Sequence, residues 1–280
     1  MGRSTLDDEI TVVSAICRDL ELGDVTLTTL KAAHHTTFLV SPLRIVARVQ
    51  SSEPIDAARK TAIREVAVAR HLAGKSAPAL APLGDIAGPH VIASCVVTLW
   101  PYVEHGRAAE EEDAAVAAAT LVSLHRALQD YNGDLPAYTG ALDHCWSVLT
   151  DDEACSGLGA PDRELLKAQY CRLRSEVDGT ASHWVPLHGD PHLGNFLFGE
   201  REPIWLDFED ACLGPREYDI ACLPATTWTQ FEDADQALIR NYADLRSICI
   251  AVWCWADLAR SGGVREAAQY NLDRVREFAF

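Results

Sequence analysis

Residues 185–221 read VPLHGDPHLGNFLFGEREPIWLDFEDACLGPREYDIA, and this stretch decides how the rest of the chain is read. Two apolar, strand-like runs, 195–198 and 204–208, flank a turn at 199–203 and predict a β-hairpin. Polar groups gather at its ends: His188, Asp190, His192 and Asn195 before it, and Asp207, Glu209 and Asp210 after it. A hairpin folds back on itself, so it brings the 190–195 loop near Asp207. Two carboxylates and an amide oxygen then converge, a donor set that suits a hard cation such as Mg²⁺. Plainer readings exist for each residue. Asp190-Pro191 is a common turn pair, Asn195 could be a turn residue before a strand, and Asp207 could cap a turn after one. His188, Asp190 and His192 also read as an H-x-D-x-H metal set, but no third histidine at ligand spacing follows. Glu209 and Asp210 read as exposed turn charges.

Outward from this stretch the chain looks like a folded, soluble protein. It has 280 residues, 48% of them hydrophobic and 8% aromatic, which excludes disorder as the main state. With 24 Lys+Arg against 41 Asp+Glu the net charge is −17. Such a charge argues against nucleic-acid binding, which needs a basic footprint, and against docking on anionic membrane. It favours cationic small molecules. The nine cysteines are odd in number and include no C-x-x-C pair. They read as reduced core residues of a cytoplasmic protein rather than disulfides or a zinc site. No signal peptide or membrane span is visible.

Helical periodicity covers 5–22. Short β-rich runs follow at 25–31, 37–40 and 43–49, with turns at 32–36 and 41–42. An Ala-rich helix spans 55–73, a near-continuous apolar strand 91–99, and a helix 108–128. The remainder is mostly helical apart from 184–208. The expected class is α+β and bilobal: a small N-terminal antiparallel-sheet lobe over 1–99, a hinge over 100–107, and a larger, mostly helical C-terminal lobe over 108–280. A cleft between lobes is the default ligand site.

The pattern His188-Gly189-Asp190, then Asn195, an apolar strand and Asp207-Phe208, followed by Asp219-Ile220-Ala221, resembles the aminoglycoside phosphotransferase family of small-molecule kinases. Protein kinases carry H-R-D-x-x-x-x-N and then D-F-G in the same order. The resemblance implies a protein-kinase-like fold and an ATP- and Mg²⁺-dependent transfer of phosphate to a small-molecule hydroxyl. It implies that Asp190 is the catalytic carboxylate that aligns the acceptor hydroxyl and takes its proton. Asn195 and Asp207 become the metal ligands. His188 and Asp219 become supports of the nucleotide and catalytic loop rather than reactants. Phosphoryl transfer needs positioning and charge neutralisation more than covalent chemistry from the protein, which these residue types supply.

The same resemblance points to Arg48 as the cation on the ATP phosphates, with Glu65 as its helix partner and Arg44 as a weaker rival. Alternatively Arg48 is a solvent-side strand charge and Glu65 pairs locally with Arg64 or Arg70. Trp100 and Tyr102 fall at the hinge, where backbone groups meet the purine edge. The family's phosphate loop usually carries glycine, yet 31–37 has none. His34, His35 and Thr36 could donate to phosphate there, or form only a polar turn. That departure leaves ATP against GTP open. The acceptor is expected to be a small molecule, cationic on the charge argument and an antibiotic at the family level. Choline, homoserine and sugars are acceptors of relatives. Asp151, Asp152, Glu153, Asp162, Glu164, Glu232, Asp233 and Asp235 are acidic residues on the acceptor's side. A monomer or homodimer fits equally. The competing function is a catalytically silent, nucleotide-binding pseudokinase-like regulatory module.

Overall fold

The computed structural model describes residues 5–32, 35–104, 107–180, 183–198, 202–258 and 262–279. Of the sequence expectations, Ala33 and His34 in the 32–36 turn, 105–106 in the hinge and 199–201 in the hairpin turn lie outside the described residues. In chain order the elements are α1 (Leu6–Asp19), β1 (Thr26–Ala32), β2 (Thr36–Ser41), β3 (Ile45–Gln50), α2 (Ile55–Gly74), β4 (His90–Ile92) and β5 (Cys95–Pro101). Then come α3 (Ala114–Leu128), α4 (Thr139–Thr150), α5 (Ala160–Asp178), β6 (Val185–Leu187), β7 (Phe196–Phe198) and β8 (Pro203–Trp205). Last are β9 (Cys212–Gly214), α6 (Arg216–Ile220), α7 (Gln236–Ala256) and α8 (Gly262–Phe278). The class is mixed α+β. The chain divides into two compact units, one of residues 1–110, 120–134 and 194–211, the other of 111–119, 135–193 and 212–280.

The first unit is built on an antiparallel five-stranded sheet in the order β1-β2-β3-β5-β4. Alternation along β2 and β3 sends Phe38, Val40, Ile45, Ala47 and Val49 to one face. α1 covers that face with Val12, Val13, Ile16 and Cys17. Burying each Val or Ile side chain contributes roughly 1.5–3 kcal/mol. A capping box fixes the start of α1: Asp8 N donates to Thr5 Oγ1 at 3.2 Å and Thr5 N to Asp8 Oδ2 at 2.9 Å. Thr37, Arg48 and Thr98 stand abreast on β2, β3 and β5. β7 and β8 form the hairpin, with Phe196 opposite Trp205.

Two sequence expectations change. The single strand read over 91–99 is a hairpin, because Ala93 takes a left-handed backbone (φ 53°) and turns β4 into β5. No Gly, Pro or Asn marks that turn, so the apolar run hid it. The helix read from 108 begins at Ala114, after a 3₁₀ turn at Glu111–Asp113. Consecutive acids belong ahead of a helix N-terminus, where the dipole favours them, rather than inside the helix.

The second unit is helical. α7 packs on α4, α5 and α8, burying Leu238, Tyr242, Leu245, Ile248, Cys249 and Val252. The Asp235 carboxylate caps it, accepting from Ala237 N at 2.8 Å and Leu238 N at 3.1 Å. Tyr242 meets Tyr138 and Tyr218 edge-on, and Tyr242 Oη donates to Tyr138 Oη at 3.0 Å. β6 pairs with β9, setting Leu187 against Cys212 and leading the chain into the His188 loop. A Cβ on Gly214 would stand 3.0 Å from Leu187 and Tyr138, so any larger residue there would have to push these side chains aside. Cys17, Cys95, Cys145, Cys155, Cys212 and Cys249 are buried and reduced. Among the described residues no helix is long and apolar enough to cross a membrane.

Candidate active site

A cavity of about 420 Å³ opens in the first unit, within the range of ligand pockets. Val46, Leu80, Leu197 and Leu206 give it apolar walls, and Trp100, Tyr102, Asn195, Asp207 and Phe208 also line it. Arg48 projects from β3 into its polar end. Arg48 Nη1 donates to Glu65 Oε1 at 2.7 Å and to Asp207 Oδ1 at 2.9 Å, and Nη2 lies 2.7 Å from Glu209 Oε2. Glu65 is 3% exposed. Burial pushes the Arg48 guanidinium down, but the three carboxylates more than offset this and hold it firmly charged. Burial pushes the Glu65 carboxyl up; Arg48 opposes this, and Asp207 and Glu209 add to it.

One guanidinium therefore faces three carboxylates, and the cluster keeps excess negative charge. That is an observation a divalent cation fits. Among the described residues no cluster of three His, Cys, Asp or Glu could hold a metal by itself. Mg²⁺ does not need one: it takes one or two protein ligands and completes its shell with water and phosphate oxygens. Asp207, 33% exposed along its side chain, and Asn195 both face the cavity. Leu206 N donates to Asn195 O at 2.9 Å, which ties the two ends of the hairpin together. Asp207 has a left-handed backbone (φ 65°), a conformation Asp tolerates better than most residues and one that turns the chain at the strand end.

Other expected residues fall variously. Arg44 is exposed, pairs with Glu104 at 3.0 Å and lies over the Tyr102 ring. Arg64 Nε donates to the Glu209 carbonyl at 3.1 Å and Arg70 to the Gly84 carbonyl, so neither is the partner of Glu65. Trp100 is buried, its Nε1 donating to Thr98 Oγ1 at 2.9 Å. The Tyr102 N–H donates to Arg44 O at 2.7 Å, so it is committed within the protein. Glu209 is a correction. Expected as an exposed turn charge, it is 19% exposed along its side chain and holds Arg48, His35 Nε2 at 2.9 Å and Gln50 Nε2 at 3.2 Å. The cation on β3 and the polar side chains beside it draw the carboxylate inward.

In the second unit the His188 loop rests on Asp219 of α6. His188 N donates to Asp219 Oδ2 and Gly189 N to Asp219 Oδ1, both at 2.9 Å. Gly189 adopts φ 92°, which glycine alone takes without strain. His188 and Asp219 are fully buried, and neither lines the cavity. The Asp190 carboxylate contacts Arg246 of α7 through Oδ1, and His192 Nε2 stands 3.4 Å from Oδ2. Burial pushes the Asp190 carboxyl up. Arg246, then His192 and His188, more than offset this and hold it well below the usual carboxylate range. Sequence reasoning missed Arg246. Its only signal was a cation set among Leu245, Ile248 and Cys249, where α7 turns apolar.

Most acids expected on the acceptor's side have structural work. Asp152 meets Arg163, Glu164 meets Lys167, Asp162 meets Arg276, and Asp151 Oδ1 accepts from Glu153 N at 2.8 Å.

The chain belongs to the phosphotransferase enzyme family, whose model matches residues 27–259, and it is a small-molecule kinase. No curated protein matches it in sequence. Among solved structures it is similar to a choline/ethanolamine kinase family protein from Mesorhizobium loti, at 17% identity and TM-score 0.65, covering 97% of this chain and 93% of that one. A microcompartment-associated aminopropanol kinase matches at 17% identity and TM-score 0.68, over 95% of both chains. An amicoumacin kinase solved with AMP-PNP and Ca²⁺ matches at 14% identity and TM-score 0.67, over 95% of this chain and 96% of that one. At these identities the likeness establishes the protein-kinase-like fold.

Proposed function

We propose that the protein is an ATP- and Mg²⁺-dependent O-phosphotransferase that phosphorylates a hydroxyl of a small molecule. The observation that carries this reading is the buried Arg48–Glu65 pair set against Asp207 in a cavity with apolar walls. The apolar walls suit a nucleobase, and Arg48 suits a phosphate oxygen. Asn195 and Asp207 would hold Mg²⁺, which when bound neutralises phosphate charge.

The reaction forms a bond between the acceptor oxygen and the terminal phosphorus and breaks the bond to ADP. The hydroxyl proton passes to the Asp190 carboxylate. Asp190 is a weak base because Arg246 holds its carboxyl low, so its part is to align the hydroxyl and receive the proton late. Asp219 fixes the loop from beneath through two N–H donors, so the carboxylate is placed before any acceptor arrives.

An amicoumacin kinase shares this fold, and antibiotics join hydroxylated metabolites as candidate acceptors. The test is a screen of both classes with Mg²⁺ and ATP, read by mass gain of one phosphate. A thermal melt with Mg²⁺–ATP is the companion. A protein that neither gains stability from Mg²⁺–ATP nor consumes ATP with any acceptor sinks the reading.

A further inference from the structure

Arg246 is enclosed, 22% exposed along its side chain, and the Asp190 carboxylate is its only hydrogen-bond or ion-pair partner among the described residues. A guanidinium carries five N–H donors, so most of them remain to be used, beside the carboxylate assigned to the acceptor hydroxyl. The neighbouring groups add no negative charge. Tyr218, the phenol facing Arg246 from α6, is pushed up by burial and stays neutral, and Cys222 of the same segment donates its thiol to the Tyr218 carbonyl at 3.6 Å. His188 and His192 face Asp190 from its own loop. Seven residues along α7 and on the same face, the buried Trp253 Nε1–H finds no acceptor among the described residues. This face of α7 thus carries donors beyond those that the Asp190 carboxylate takes up.

We propose that Arg246 anchors the acceptor, binding a carboxylate or other oxyanion carried close to the reacting hydroxyl while it holds Asp190 in place. Acceptors are then hydroxylated acids rather than amino alcohols. The inference rests on the phosphotransferase reading of Asp190 and deepens it. It also limits what the net charge implies. A charge of −17 draws cations at long range. At contact range, an Asp190 already paired with Arg246 has little to offer an ammonium group, and Arg246 repels it. A planar guanidinium matches a carboxylate's two oxygens, which makes oxyanion recognition its natural use.

The experiment uses the whole protein with Mg²⁺ and ATP and a matched panel: hydroxy acids, their methyl esters, and amino alcohols on the same carbon skeletons. Mass gain of phosphate gives kcat/KM, and Mg²⁺–ATP melts run alongside. The acids are expected to be preferred over esters and amino alcohols. Arg246→Gln should lower kcat/KM for the acids by about 10- to 100-fold, mainly through KM, the range of a charge-assisted hydrogen bond. Losing the Asp190 contact should lower kcat for acids and esters alike, so anchoring is read from an added rise in KM for the acids alone, whereas a merely structural role would leave the acid-to-ester ratio unmoved. Should Arg246→Gln fail to fold, the wild-type acid-to-ester ratio and its partial fall in Arg246→Lys decide the matter. Preference for amino alcohols, an acid-to-ester ratio unmoved by the variants, or Mg²⁺–ATP stabilisation with no acid accepted each overturns the inference. A wild-type protein that does not respond to Mg²⁺–ATP overturns the phosphotransferase reading itself, and this one with it.

Discussion

Arg48→Met is the most searching perturbation of the cavity. It removes the guanidinium that meets Glu65 at 2.7 Å, Asp207 at 2.9 Å and Glu209 at 2.7 Å, and leaves three carboxylates with each other. Glu65 decides the magnitude, since at 3% exposure it cannot turn to water. Removing one partner of a buried ion pair costs about 3–5 kcal/mol. At about 2–4 °C per kcal/mol the melting temperature of the nucleotide-free protein should fall by roughly 6–20 °C. The loss should depend on pH in a definite direction. Burial already raises the Glu65 carboxyl, and losing Arg48 raises it further. The native state then binds a proton that the unfolded chain, with an ordinary glutamate near 4.3, does not bind. Stability rises as pH falls wherever the native state binds more protons. Wild-type Glu65, pushed up to about 8, takes up the same proton below that value, so the deficit of Arg48→Met should shrink as pH falls from about 10 to about 8 and stay level below it. Calorimetric melts of both proteins across that window test it. A deficit below about 1 kcal/mol, or one constant across that window, would show that Arg48 does not oppose the rise of the Glu65 carboxyl.

Asp190→Asn should lower turnover by about 10²–10⁴-fold while leaving Mg²⁺–ATP stabilisation intact; near-normal turnover would remove Asp190 from the chemistry. Asp207→Ala should abolish the Mg²⁺-dependent part of ATP stabilisation in a thermal melt, since a ligand bound only to the native state raises apparent stability by mass action. An undiminished shift would place the metal elsewhere. Gly189→Ala puts a side chain at φ 92° in a loop whose N–H groups hold Asp219. It should cost about 1–2 kcal/mol and lower turnover, and unchanged melts and kinetics would show that the loop does not need this backbone.

What the sequence made legible was local. The hairpin, its polar ends and the order of His188, Asp190, Asn195 and Asp207 lie within twenty residues, where turn chemistry and alternation carry the information. Glu209 was misread because its partners Arg48, His35 and Gln50 stand some 160 to 174 residues away in sequence. No local pattern distinguishes an inward carboxylate from a solvated one. The β4–β5 turn was hidden because Ala93 takes a backbone usually marked by glycine or asparagine. Net charge is a coarse guide in a more general way. It sums groups that the fold has already spent: Asp152 on Arg163, Asp162 on Arg276, Asp235 on the N-terminus of α7. Exposed pairs of this kind contribute little to stability and leave a screened field at a distance. What a ligand meets at contact range is set by the few charges left partly used. Beside Asp190 that charge is Arg246, positive on a chain with a large negative excess, and the two scales therefore attract different parts of an acceptor. The long-range field governs how fast a cationic molecule arrives. The contact groups govern which hydroxyl is held against Asp190 once it is there, and on this face of α7 they favour one that sits next to an oxyanion.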